Sequence, residues 1–283
     1  MSQHSLLGVM QGRLLPKYQG RYQAHPVGYW QDEFPQAAEL RLDCIEFILD
    51  FNDAEINPLL RPGGPEEILR LGEQTGVKVF TVCADYLMEA PVHHPDEVVA
   101  AHSQSVLRRL LTHGKTLGLT DIVIPCVDQS SLGDAAAQDR FVERLGPLVA
   151  KAESAGINLS LETDLAPQPF AELLTRFASR RVTVNYDTGN SAALGFDPSE
   201  ELACYGELIS DIHIKDRMLG GSSVVLGTGN AQFERFSGAL RSINYAGPFI
   251  LQALRDDEGM EIFKQQLAWV REHFAAWLGE VTA

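Results

Sequence analysis

Eight short β-rich runs alternate with helical patterns along this chain, and no other feature narrows its fold so far. The runs are "LLGVMQ" (6–11), "CIEFIL" (44–49), "VKVFTVCAD" (77–85), "DIVIPCVD" (121–128), "INLSLETD" (157–164), "VTVNYD" (182–187), "ISDIHIK" (209–215) and "PFILQAL" (248–254). Between them lie segments such as "PEEILRLGEQTG" and "HSQSVLRRLLTHGKTLG". The last helix, "GMEIFKQQLAWVREHFAAWLGE", repeats Phe263, Leu267, Val270, Phe274 and Trp277 at the spacing of one buried face. Strand–helix alternation implies a parallel sheet, and eight repeats imply closure into one (β/α)8 barrel of the α/β class, residues 1–283 forming a single domain. No Ser/Pro/Gly linker divides the chain. An open doubly wound sheet usually announces itself by a Gly-rich first turn. Here that turn is "QGRLLP", and "GTGNAQ" (227–232) comes late and lacks the third glycine.

Composition narrows the partner. The net charge of −15 and the absence of a basic run oppose nucleic acid, whose phosphates need lysine and arginine. No apolar run approaches the ~20 residues that span a bilayer, so no membrane partner is expected. "MSQHSLLGVMQGR" lacks a charged leader and a long apolar core, so no signal peptide is expected. Four scattered cysteines, Cys44, Cys83, Cys126 and Cys204, show no zinc spacing and predict a reduced, cytoplasmic setting. A small molecule is the expected partner. The oligomeric state, a homo-oligomer included, is left open.

In a barrel, alternate residues of each strand face the helices or the lumen. If the apolar phase faces the helices, Asn158, Ser160, Glu162 and Asp164 point inward, as do Thr183, Asn185 and Asp187. Asp211, His213 and Lys215 follow on the seventh run, and Gln252 shares the inward phase of Ile250 and Leu254 on the eighth. Glu162, Asp187, His213 and Gln252 thus meet near the carboxyl ends of four consecutive strands, where barrel active sites form. Two carboxylates, an imidazole and an amide oxygen suit a hard divalent cation. Taken singly, each has a structural alternative: a hydrogen-bonded core histidine, a Glu162–Lys215 pair, an amide satisfying a neighbour.

"SLETD", "NYDTGNSAALG", "DIHIKDR" with its later "GTGN", and "GPFILQALR" carry a resemblance to the xylose isomerase-like TIM barrel superfamily, in particular its sugar phosphate isomerase/epimerase group. The resemblance covers nearly the whole chain and is strongest over 157–255. It implies metal ligands at Glu162, Asp187, His213 and Gln252 and a Mn²⁺, Mg²⁺ or Co²⁺ ion that stabilises an enediolate of a sugar or sugar phosphate. Glu162 is then the candidate base as well as a ligand, with Lys215 as the second catalytic residue.

Two positions depart from the family. Gln252 stands where a glutamate usually binds metal and moves a proton, and a neutral amide is no base. Asn190 stands where many members carry a histidine. The missing carboxylate tilts the expectation toward isomerisation through one base, unless inward-phased Asp85, Asp128 or Glu46 replaces it and restores epimerisation. Rival readings are a dehydratase of keto-cyclitols and a non-catalytic sugar-binding barrel. An apurinic-site nuclease is opposed by the charge.

Candidate substrate contacts are Asn190, Arg217, Arg255, Arg13 and Asp85. Arg13 belongs to a long first loop (11–30) that is expected either to close over the site or to pack on its rim. The glycines of 220–230 offer amides to an anion or form an ordinary turn. Cys83 and Cys126 are not expected to be nucleophiles, and His93 and His94 are expected at the surface or as caps.

Overall fold

The computed structural model describes residues 4–278. Eight strands, β1 (Leu7–Met10), β2 (Cys44–Ile48), β3 (Thr81–Cys83), β4 (Asp121–Cys126), β5 (Asn158–Thr163), β6 (Val182–Asp187), β7 (Ile209–Ile214) and β8 (Phe249–Leu251), pair in parallel and in chain order. The sheet closes where Leu7–Val9 of β1 align with Phe249–Leu251 of β8. Helices connect the strands, the longest being Glu97–Leu117 and Ala135–Ala155. A two-stranded antiparallel ribbon, Asp216–Arg217 with Ser223–Val224, follows β7.

Residue alternation divides the apolar residues into two cores. The larger lies between sheet and helices and takes Leu159, Leu161, Val182, Val184, Ile212 and Ile214 from β5–β7. Burial of each such side chain stabilises the fold by roughly 1.5–3 kcal/mol. The smaller fills the lumen with Met10, Cys44, Ile48, Cys83, Val123 and Ile250. Gly8 belongs to this layer by necessity. A Cβ there would stand 2.6 Å from Cys44 Sγ and 2.8 Å from Ile250 Cδ1.

Several strands are shorter than their apolar runs. The third run, 77–85, is paired as a strand only over Thr81–Cys83, because Lys78 makes an isolated bridge to Cys44 before the regular ladder begins. The eighth ends at Leu251, so Gln252 stands just beyond β8 rather than within it. Between β6 and β7 the register passes from Val184↔Ile209 to Asn185↔Asp211, leaving Ser210 as an extra residue. The segment expected as one final helix is two: Met260–His273 buries Phe263, Leu267 and Val270 as its spacing predicts, Phe274 caps it, and Trp277 falls in a separate short helix, Ala275–Leu278.

Candidate metal centre and active-site mouth

Burial decides how the carboxyl ends of β5–β7 behave. Glu162, Asp187 and His213 are all buried, and one ligand atom from each lies within 4.8 Å of the others. Asp187 ends β6 and starts the helix Thr188–Leu194, its Oδ1 accepting the backbone N–H groups of Gly189 (2.8 Å) and Asn190 (2.9 Å). Its other oxygen, Oδ2, takes Lys215 Nζ at 3.3 Å. Lys215 reaches that place only because residue 189 is glycine, since a Cβ there would lie 2.6 Å from Lys215 Cγ. Thr188, which sequence reasoning missed, joins the two strand ends by donating to the carbonyls of His213 (3.1 Å) and Lys215 (2.6 Å).

His213 is held from below. Its Nε2 lies 2.7 Å from Glu46 Oε1, and both side chains are fully buried. A proton on Nε2 satisfies this contact and leaves Nδ1 as a lone pair, and Nδ1 is indeed buried without a hydrogen-bond partner. An unpartnered buried nitrogen beside two carboxylates is what a cation site requires, so the donor set fits a divalent ion. Asp211 stands against Glu46 beneath the histidine. Burial pushes Glu46 up to about 7 and Asp211 well above the usual carboxylate range.

Glu162 is a strongly tuned carboxyl at the mouth. Burial, reinforced by the charge of Asp187 and opposed by His213 and Lys215, pushes its carboxyl up to about 7. Asp187 goes the other way: burial alone would raise it, but Lys215, His213 and the backbone donors together hold it below the usual range. Two neighbouring carboxyls with separated affinities can divide the work of proton carrier and permanent anion. Asn190 Nδ2 donates to Glu162 Oε1, while Asn190 Oδ1 accepts from Lys215 (3.3 Å) and Arg217 (2.9 Å). Gln252 Oε1 accepts from Lys215 Nζ at 3.2 Å, and its Nε2 donates to Gln23 Oε1 at 3.1 Å. The amide oxygen therefore faces the centre.

A cavity of about 610 Å³ opens above, lined by Arg21, Asp85, Glu162, Asn190, Lys215, Arg217 and Gln252 among others. A family model described as xylose isomerase-like TIM barrel matches residues 34–273. The chain belongs to that family. L-Ribulose-5-phosphate 3-epimerase UlaE of Escherichia coli is 24% identical over 262 residues, covering 87% of this chain and 90% of that protein. Among solved structures, 3-keto-D-glucoside 4-epimerase YcjR from E. coli superposes with a TM-score of 0.73 at 17% identity, over 95% of this chain and 99% of that one. A xylose isomerase-like TIM barrel protein of Mycobacterium smegmatis, in complex with magnesium, gives 0.70 at 18% identity over 98% of both chains.

In this member of the xylose isomerase-like family, not every arginine expected at the mouth stands there. Arg13 is 1% exposed and donates to Tyr22 O and Gln23 Oε1. Arg255 is buried and donates to the carbonyls of Gly12 (2.7 Å) and Leu15 (2.6 Å). Neither lines the cavity; both tie down the first loop, whose backbone also donates from Gly12 and Leu14 to buried Glu33. The loop is pinned, with Arg21, Tyr22 and Gln23 forming a wall and Trp30 buried beneath against Phe47. Arg21 does reach the mouth, yet it is spent on Asp50 in a two-pronged pair (2.5 and 3.0 Å).

The glycine-rich segment is an internal anion cradle. The amides of Gly227, Gly229 and Ala231 all donate to Asp216, at 3.0, 2.8 and 3.0 Å. His93, expected at the surface, is buried against Phe141, and His94 Nδ1 accepts the Asp96 N–H. Burial raises the thiols of Cys83 and Cys126, opposing thiolate chemistry. Among the described residues no helix is long and apolar enough to cross a membrane.

Proposed function

We propose that this chain is a divalent-metal-dependent isomerase of sugars or sugar phosphates that works by moving a proton on the carbon next to a carbonyl. The observation that carries this reading is the convergence of Glu162, Asp187 and His213, with the buried Nδ1 of His213 unpartnered, under an open polar cavity. UlaE and YcjR, both named as sugar epimerases, support the substrate class. The magnesium in the mycobacterial structure supports the kind of ion.

Glu162, Asp187, His213 and the amide oxygen of Gln252 would hold the cation. When bound, it supplies a Lewis acid that stabilises negative charge on vicinal sugar oxygens. The chain supplies the rest. Glu162 is the carboxylate placed to take the proton, and the bound cation would keep it ionised for that task. Asn190 fixes the Glu162 carboxylate by its amide donor. The Lys215 ammonium, at the cavity wall, stabilises oxyanionic charge as it develops. Arg217 Nη1 locks Asn190 in place.

The test is metal content by mass spectrometry, before and after Mn²⁺ loading, beside Glu162→Ala. About one ion per chain, lost in the variant, is expected for a single-ion centre of this donor set. Loaded protein should then exchange the α-proton of a ketose with deuterated solvent, and EDTA should stop the exchange. No bound ion under any loading would overturn the metal mechanism and favour a sugar-binding barrel.

A further inference from the structure

Epimerisation removes a proton from one face of a carbon and returns one to the other, which asks for two proton carriers. Gln252 cannot be the second. The remaining carboxyls lining the cavity are Asp50, Asp85, Glu89 and Asp128. Asp50 is locked by Arg21. Glu89 and Asp128 are exposed at the rim. Glu46, the other sequence candidate, is fully buried under His213 and does not line the cavity.

Asp85 differs from all of these. It lies two residues past Cys83, the end of β3, is half-buried, and its hydrogen bonds come from neutral groups: Cys83 Sγ at 3.0 Å to Oδ1 and Gln23 Nε2 at 2.8 Å to Oδ2. The amide of Gln23 that donates to Asp85 accepts from Gln252 Nε2 at its other end, so one side chain separates Asp85 from the corner where a carboxylate is missing. The geometry points to Asp85 as the second acid/base of this site, which makes the chain a two-base epimerase rather than a one-base isomerase. This rests on the sugar-isomerase reading above. Burial raises the Asp85 carboxyl, favouring the protonated form that the step needs.

The step balances without a co-reactant. The α C–H bond breaks, its proton passes to the Glu162 carboxylate, and the electron pair enters the enediolate. The Asp85 O–H bond then breaks and its proton joins the same carbon from the opposite face. Asp85 is left ionised and Glu162 protonated, and exchange with water restores both.

The experiment follows D-fructose and L-ribulose 5-phosphate in deuterated solvent with Mn²⁺-loaded protein, reading deuterium in the starting sugar and appearance of the epimer by NMR. Asp85→Asn should keep its bound Mn²⁺ and the Glu162-driven label uptake into the starting sugar, while epimer formation falls by about 10²-fold or more. Adding Gln252→Glu to Asp85→Asn should recover epimer formation, an effect that a purely structural Asp85 would not produce. Asp85→Ser serves if the asparagine variant does not fold. Undiminished epimer formation in Asp85→Asn, or an aldose as the only wild-type product, overturns the assignment while leaving the isomerase reading intact. No exchange by wild type on either sugar overturns that reading and the assignment with it.

Discussion

The lumen of this barrel has two unlike halves. On the β1–β4 side, Met10, Cys44, Ile48, Cys83 and Val123 close it with an apolar layer. On the β5–β7 side, Ser160, Glu162, Thr183, Asn185, Asp187, Asp211 and His213 fill the same space with polar groups. Glu46 is an intruder from the apolar half, and its role is legible from its contact, the Nε2 of His213. The apolar half is held mainly by packing, with Glu46 Oε2 and Thr81 Oγ1 its buried polar atoms without partners. The polar half leaves His213 Nδ1 and both polar atoms of the Asn185 side chain without partners. Unmet hydrogen-bonding capacity in a buried layer is costly, and at His213 Nδ1 it lies on the side where chemistry is proposed.

The sharpest way to break this contrast is at Glu162. Glu162→Gln is isosteric, keeps an oxygen for Asn190 and removes the base, so α-proton exchange should fall by about 10²–10⁴-fold with the circular dichroism unchanged. Residual exchange at the wild-type rate would put the base elsewhere. In the apolar half, Ile48→Ala should do the converse. It should cost about 2–5 kcal/mol of stability in denaturant unfolding and leave metal stoichiometry unaltered. A loss of metal from that variant would mean the halves are mechanically coupled.

pH separates the halves more gently. In the metal-free protein the Glu162 carboxyl is raised to about 7, so the ion must displace its proton below that pH, and Mn²⁺ affinity should weaken by up to about tenfold per unit as pH falls below about 7. Mn²⁺ affinity unchanged between about pH 7 and about pH 5 would exclude Glu162 as a ligand. For the metal-free protein the stability sign is opposite. Glu46 and Glu162 bind protons more tightly folded than unfolded, so their contribution is fully present below the unfolded value of 4.5 and is lost as pH rises through about 7. Unfolding midpoints of metal-free protein that rise between pH 5 and 8 would contradict this. The smallest effect is expected at the fourth corner. Gln252→Glu adds a charged ligand and should tighten Mn²⁺ by about tenfold, near 1.4 kcal/mol, in a chelator competition. Weaker binding would show that Lys215 Nζ, which already touches Gln252 Oε1, draws the new carboxylate away from the ion.

By itself the sequence determined the eight-strand barrel, because alternation of apolar and polar residues is a local property that each strand displays independently. The same alternation placed Glu162, Asp187, His213 and Gln252 at one level, since side chains two residues apart on a strand share a face. It also exposed the departures at Gln252 and Asn190. What it could not decide were contacts between residues far apart in the chain. Glu46 meets His213 across 167 positions, and Gln23 links to Gln252 across 229. Arg13 and Arg255 read as mouth cations from their charge, yet burial turned both into struts of the first loop. The glycines of 227 and 229 read as an anion cradle or an ordinary turn, and the anion their amides hold is Asp216 of the same chain. Periodicity fixes which way a side chain points; only closure of the barrel decides what it meets there.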